Sequence, residues 1–172
     1  MDDFEDDRDW EPPWERKKKR MDELGKAKWT FGTLLALFQG LEDRSEDVRR
    51  SAMASLMEIA LSEPEPVKVS PLQMMMEFFY DFTKASNTRP VIFEFLLKLH
   101  TDEADHYLEL LLNDKFGNGN VDDYAQFINL LANADRPDLV AKIDLNNLPK
   151  RKKPIAQRLF KPRLAKGPET LQ

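Results

Sequence analysis

From Trp29 to Ile143 the apolar residues recur at three- and four-residue steps, and no stretch alternates long enough to make a convincing strand. A chain with that rhythm buries its apolar side chains through helices packed on helices. Phe31, Leu34, Leu35, Phe38 and Leu41 make the first stripe, ended by Gly40 and the charged turn from Glu42 to Ser45. Ser45 stands where a cap is needed, and Glu46 and Asp47 follow in the first turn, where negative charge suits the helix dipole. Val48, Ala52, Leu56 and Ile59 then form the inner face, until Pro64 and Pro66 stop the helix. The two helices read as an antiparallel hairpin.

The same grammar returns twice. Ser70 before Pro71 is a cap with proline at the first helical position, and Leu72, Met75, Met76, Phe79 and Phe82 share a face that Met74, Phe78 and Tyr80 widen. Asn87 or Thr88 opens its partner, in which Ile92, Phe95, Leu96 and Leu99 point inward. A third pair places Ala104, Leu108 and Leu111 on one helix and Val121, Tyr124, Phe127, Ile128 and Leu131 on the other, joined by a loop with Gly117 and Gly119. A last short helix is expected from near Asp135 to Ile143. The Met74–Phe82 run reads first as core, with a groove for an amphipathic helix or peptide as its functional alternative.

Charge separates the ends from this body. The first twenty residues hold eight acidic and six basic side chains, with the bases gathered in Arg16-Lys17-Lys18-Lys19-Arg20. Residues 148–172 hold eight Lys or Arg against Glu169 alone. Taking the −2 and the +7 of these ends from the total of −5 leaves −10 for residues 21–147. The expected organisation is therefore an acidic-then-basic extended arm over 1–28, a helical domain over 29–147 and a basic, mostly extended tail over 148–172 with a short helix through residues 155–160. There is no cysteine, so a disulfide framework and a thiolate metal site are both excluded. No apolar run reaches membrane-spanning length, and the sequence points to an intracellular protein, cytoplasmic first and nuclear as the alternative.

The residues that carry chemistry do not assemble into a known catalytic pattern. His100 and His106 miss the spacing that puts two ligands on one helical face, and Asp102 with His106 reads as a helix-start cluster. Asn118, Asn120 and Asp122 alternate like calcium ligands, but Asp123 and Asn129 stand where that loop needs glycine and glutamate. Phosphate-binding glycine loops and nucleophile elbows are missing too. The expectation is a non-enzyme with no cofactor, no metal and no small-molecule substrate.

The stretch LLALFQGLEDRSEDVRRSAMASLMEIA, Leu34 to Ala60, resembles a HEAT repeat. Asp47, Val48, Arg49, Ala52, Leu56 and Ile59 stand at the positions that carry the pattern. The resemblance implies an all-α fold of stacked antiparallel helix pairs, a solenoid fragment, with an irregular helical bundle as the alternative; it also implies structural hydrogen bonds from Asp47 and Arg49. The second pair departs from the pattern, because Arg89, Pro90 and Val91 replace the acid-led turn.

Such a body suits a scaffold or adaptor that holds protein partners within a multi-subunit complex. The candidate contacts are Phe4, Trp10 and Trp14 in the acidic arm, with Lys150, Arg151, Lys152, Lys153, Arg158, Phe160, Lys161 and Arg163 in the basic tail. The alternative is a factor that grips RNA or DNA phosphates through that tail.

Overall fold

A computed structural model describes residues 10–62, 69–83, 88–117 and 119–160, with the backbone alone at Phe82. Every regular element among them is helical. The chain divides into two compact units, Met1–Val91 and Ile92–Gln172.

In the first unit, helix α1 (Pro13–Lys26) runs through most of the stretch expected to be an extended arm. That expectation is corrected: Pro13 pre-sets the first turn, Glu15 suits its positive end, and the basic run that follows has good helix formers throughout. What the charge run hid is the inner side of the helix. Met21 is buried, and Gly25 lies so close to α3 (Glu46–Leu61) that a Cβ there would sit 2.9 Å from Ser55 Cα. Ser55 Oγ in turn donates to the Met21 carbonyl at 2.7 Å, in buried surroundings. α1 is thus docked by one apolar side chain, one missing side chain and one buried hydrogen bond.

Helix α2 (Phe31–Gly40) is capped by Thr30, whose side chain accepts from Thr33 N, and it packs with α1 and α3. The α3 stripe of Val48, Ala52, Leu56 and Ile59 is buried as expected, but the α2 stripe is corrected: Leu34, Phe38 and the following Leu41 are buried together with Leu37, whereas Phe31 and Leu35 are exposed, because the buried side of the helix is centred on Leu34, Leu37 and Phe38. Ser45 precedes α3 without a side-chain cap bond; Asp43 Oδ1 instead accepts from Ser45 N at 2.9 Å. The expected serine cap is therefore corrected: Asp43 holds the residue before the helix rather than a first-turn N–H.

The run after Ser70 is not one regular helix. Ser70 caps Gln73 N as expected, but α4 (Pro71–Met74) gives way to a π-helical turn over Met75–Phe79 and a 3₁₀ turn over Tyr80–Phe82. The winding there is the wider i→i+5 kind, and Leu72, Met75, Met76, Phe79 and Tyr80 are all buried. Phe79 packs against Phe31 and Phe38, with ring centroids 4.9 and 5.3 Å away. Most of the Met-aromatic run is core.

The second unit begins within α5 (Thr88–Leu99), which buries Ile92, Phe93, Phe95, Leu96, Leu97 and Leu99. α6 (Asp102–Leu112) is capped by Thr101 and α7 (Val121–Asn133) by Asn120, and Phe93 stacks on Phe127 at 4.6 Å. α8 (Pro137–Ala141), a 3₁₀ turn over Leu145–Asn147 and α9 (Lys153–Gln157) complete it. α5, α6 and α7 end the same way: His100, Asp114 and Asp135 follow the helices with φ of 51°, 57° and 50°. This left-handed position is usually glycine, and His, Asp and Asn are the side chains that tolerate it best. His100 is therefore accounted for as the residue that ends a helix.

Candidate functional site

The densest polar arrangement lies at the C-terminal end of α6. Asp114 holds the left-handed position there while Lys115 N closes back on the Leu110 carbonyl at 2.8 Å. Glycine would hold that backbone more cheaply, but it has no carboxylate. The Asp114 carboxylate pairs with the ammonium of Lys152, which also donates to the Gly119 carbonyl at 2.7 Å and lies 5.5 Å from the centre of the Tyr124 ring. Tyr124 sits in the same knot and donates its hydroxyl to the Leu112 carbonyl at 2.7 Å. Burial, and then the nearby Asp114 charge, raise its pKa well above the usual range, so it remains a donor. One residue earlier, Asn113 donates to the Lys142 carbonyl at 3.1 Å and accepts from Asp144 N at 2.8 Å. Two adjacent side chains thus tie the later segments to α6.

Lys152, expected to face a partner, is only 5% exposed and is spent on this internal contact; that assignment is corrected. Within the part of the expected basic tail that is described, residues 148–160, α9 buries Ile155 and Ala156. The helix expected through residues 155–160 instead spans Lys153–Gln157. Lys150 and Arg151 are exposed in the turn before it, Lys153 is half-buried, and Arg158 is exposed just after it.

A second polar cluster joins α6 to α8. Arg136 donates to Asp105 Oδ2 at 2.9 Å and to both carboxylate oxygens of Asp138 at 3.0 and 2.9 Å. The hydrogen bond from Arg136 lowers the Asp138 pKa to about 2 and keeps it ionised. Beside Arg136 lies a cleft of about 420 Å³ lined by Leu131, Val140, Arg158 and Phe160 among others. Of the expected contact residues, this cleft brings Arg158 and Phe160 together.

In the first unit Trp10 is 71% exposed and Trp14 lies in the first turn of α1, also exposed. Lys17 of the basic run pairs with Asp43 at 3.0 Å, and Lys18 stands 3.8 Å from Asp22. Burial raises the Asp43 pKa, but the Ser45 N–H, the Lys17 ammonium and Arg49 outweigh it and the net shift is downward. Arg49 binds the carbonyls of Asp43 and Arg44 at 2.7 and 3.0 Å, closing its own turn, while Asp47 is exposed in the first turn of α3. Phe4, Lys161 and Arg163 lie outside the described residues. Among the described residues no group of three or more His, Asp or Glu side chains is placed to hold a metal ion, and His106 lies edge-on to Tyr107 at 5.6 Å. No helix among them is long and apolar enough to cross a membrane.

Sequence reasoning missed Asn113, Asp114, Asp105 and Arg136. The partners that join segments lie far along the chain, from 29 residues for Asn113 and Lys142 to 38 for Asp114 and Lys152, and no local spacing announces such pairs; Arg136 also pairs locally with Asp138, two residues on. No family model matches the chain, and no curated protein or solved structure matches it.

Proposed function

We propose that this protein is a non-enzymatic scaffold or adaptor that binds protein partners as a subunit of a larger assembly. The observation that carries the reading is a set of outward-facing aromatic side chains on a helical framework. Trp10, Trp14, Phe31, Phe78 and Phe160 are each at least 42% exposed. Aromatic residues of this kind are enriched in the buried centres of protein interfaces. The polar clusters described above support it from the other side, since Lys152, Arg136 and Arg49 act within the fold. The HEAT-like hairpin of α2 and α3 agrees with a role of this class, because repeats of that type serve as binding surfaces.

The alternative, RNA or DNA binding through the basic segment, rests on the exposed Lys150, Arg151 and Arg158. Affinity capture of the full-length protein, with and without nuclease, separates the two. The proposal expects defined protein partners in constant ratio, retained after nuclease. Loss of every partner on nuclease treatment, with steeply salt-dependent binding of nucleic acid, would replace it with the alternative.

A further inference from the structure

We infer that the outer face of α2 docks an amphipathic helix with acidic flanks, an inference that rests on the protein-binding reading above and names its surface. α2 contains no charged residue, yet only one side of it is buried. Phe31 and Leu35, one helical turn apart, are 53% and 39% exposed, and Gly32 and Gln39 are exposed beside them. A surface helix normally carries charge on its solvent side, and a helix apolar on both sides is normally covered on both.

Two further observations say what covers it. At its N-terminal end the face is backed by aromatic packing: Phe31 rests on Phe79, and Phe78, the residue before, is 50% exposed on the π-helical turn. A Cβ at Gly32 would meet only Thr30 Oγ1 at 3.8 Å, so another backbone can approach closely there. At its C-terminal end Ala36, Gln39 and Gly40 line a groove of about 170 Å³ together with Lys17 and Arg20 of α1 and with Asp43. Lys17 is paired with Asp43, which leaves the exposed Arg20 facing outward as the cation a partner would meet. Glu77, beside Phe78, accepts from the neutral Gln73 at 3.2 and 3.3 Å and keeps its charge, so the partner's carboxylates belong at the Arg20 end of the face. The complement of this surface is an apolar stripe at helical spacing that ends in, or is flanked by, carboxylates.

Two fluorescein-labelled helical peptides, alike in a leucine stripe but flanked by glutamates in one and lysines in the other, provide the test by fluorescence anisotropy with the full chain at low salt. The glutamate peptide is expected to bind about 10-fold tighter than the lysine peptide, and Leu35→Glu to weaken it by about 10-fold or more. Arg20→Glu should remove the preference between the two peptides. Gly32→Trp, which fills open space, should act as Leu35→Glu does; unchanged circular dichroism guards both against misfolding. Equal affinity for the two peptides, or binding that Leu35→Glu leaves intact, would overturn the inference. So would a dimer in sedimentation equilibrium that Leu35→Glu dissolves, which would assign the face to a second copy of the chain. Partners captured equally by wild type and Leu35→Glu would overturn this surface while leaving the protein-binding reading in place.

Discussion

The basic run in α1 and the basic segment around α9 look alike in sequence, yet their lysines have different fates. In α1 the charges lie outside and the helix is held by its other side, through Met21, Gly25 and Ser55. At α9 a lysine is itself the anchor: Lys152 is buried against Asp114, Gly119 and Tyr124, and a helix of five residues adds only Ile155 and Ala156. A run of like charges therefore says little about exposure. Both runs find an acid, Asp43 for Lys17 and Asp114 for Lys152, and what differs is that Lys152 also has the Gly119 carbonyl and the Tyr124 ring around it.

The sharpest way to break this comparison is to remove the two kinds of lysine. Lys152→Ala leaves the part-buried Asp114 without its cation and is expected to destabilise the second unit by about 3 kcal/mol, at the low end for a broken buried pair. Lys17→Ala, on a side chain 59% exposed, should cost no more than about 0.5 kcal/mol. Urea unfolding of the full chain measures both, and equal losses would erase the distinction. Asp114→Asn combined with Lys152→Met should recover part of the larger loss, because no unpaired charge then remains.

α1 has its own vulnerable point. Gly25→Ala forces a methyl group against Ser55 and should cost about 2 kcal/mol, within the usual range for overpacking. Hydrogen exchange should quicken in α1 and leave α9 protected; uniform protection in the variant would show that α1 does not dock as described.

Tyr124→Phe removes only the hydroxyl that the Leu112 carbonyl accepts, for an expected loss of about 1 kcal/mol. An unchanged urea midpoint would mean that this bond does not help hold the knot around Lys152.

The smallest effect is electrostatic. Asp138 has its pKa lowered to about 2 by Arg136, so the contribution of this pair is complete above the ordinary carboxylate range and fades as pH falls from about 4 through 2. Because Asp138 is half exposed, the contribution should be below about 1 kcal/mol. Asp138→Asn should therefore lose less stability than wild type between pH 5 and pH 2, and identical acid profiles would count against the pair.

The helices of the body were legible because burial there follows a short period. The stripes of α3, α6 and α7 could be read from residue types three and four apart, and Ser70 and Asn120 cap where a helix end calls for it, whereas Ser45 makes no side-chain cap bond. α1 was missed because a single buried methionine among charges makes no stripe. The π-helical turn was missed because a run apolar on every side looks the same under either winding. Lys152 was misassigned for a different reason: its partner acid lies 38 residues away, and its nearest neighbours are all basic or proline. Trp10, Trp14 and Phe160, expected among the contact residues, are exposed, whereas the exposed Phe31 and Leu35 were read as core because they share a helix with residues that are.

The central claim is that this framework works by protein contact through its exposed apolar side chains. Photo-crosslinking from an amino acid placed at position 35, compared with one at position 151 in the basic turn, tests it most directly. The account predicts a discrete protein adduct from position 35 that survives nuclease. Adducts confined to position 151 and consisting of nucleic acid would contradict it.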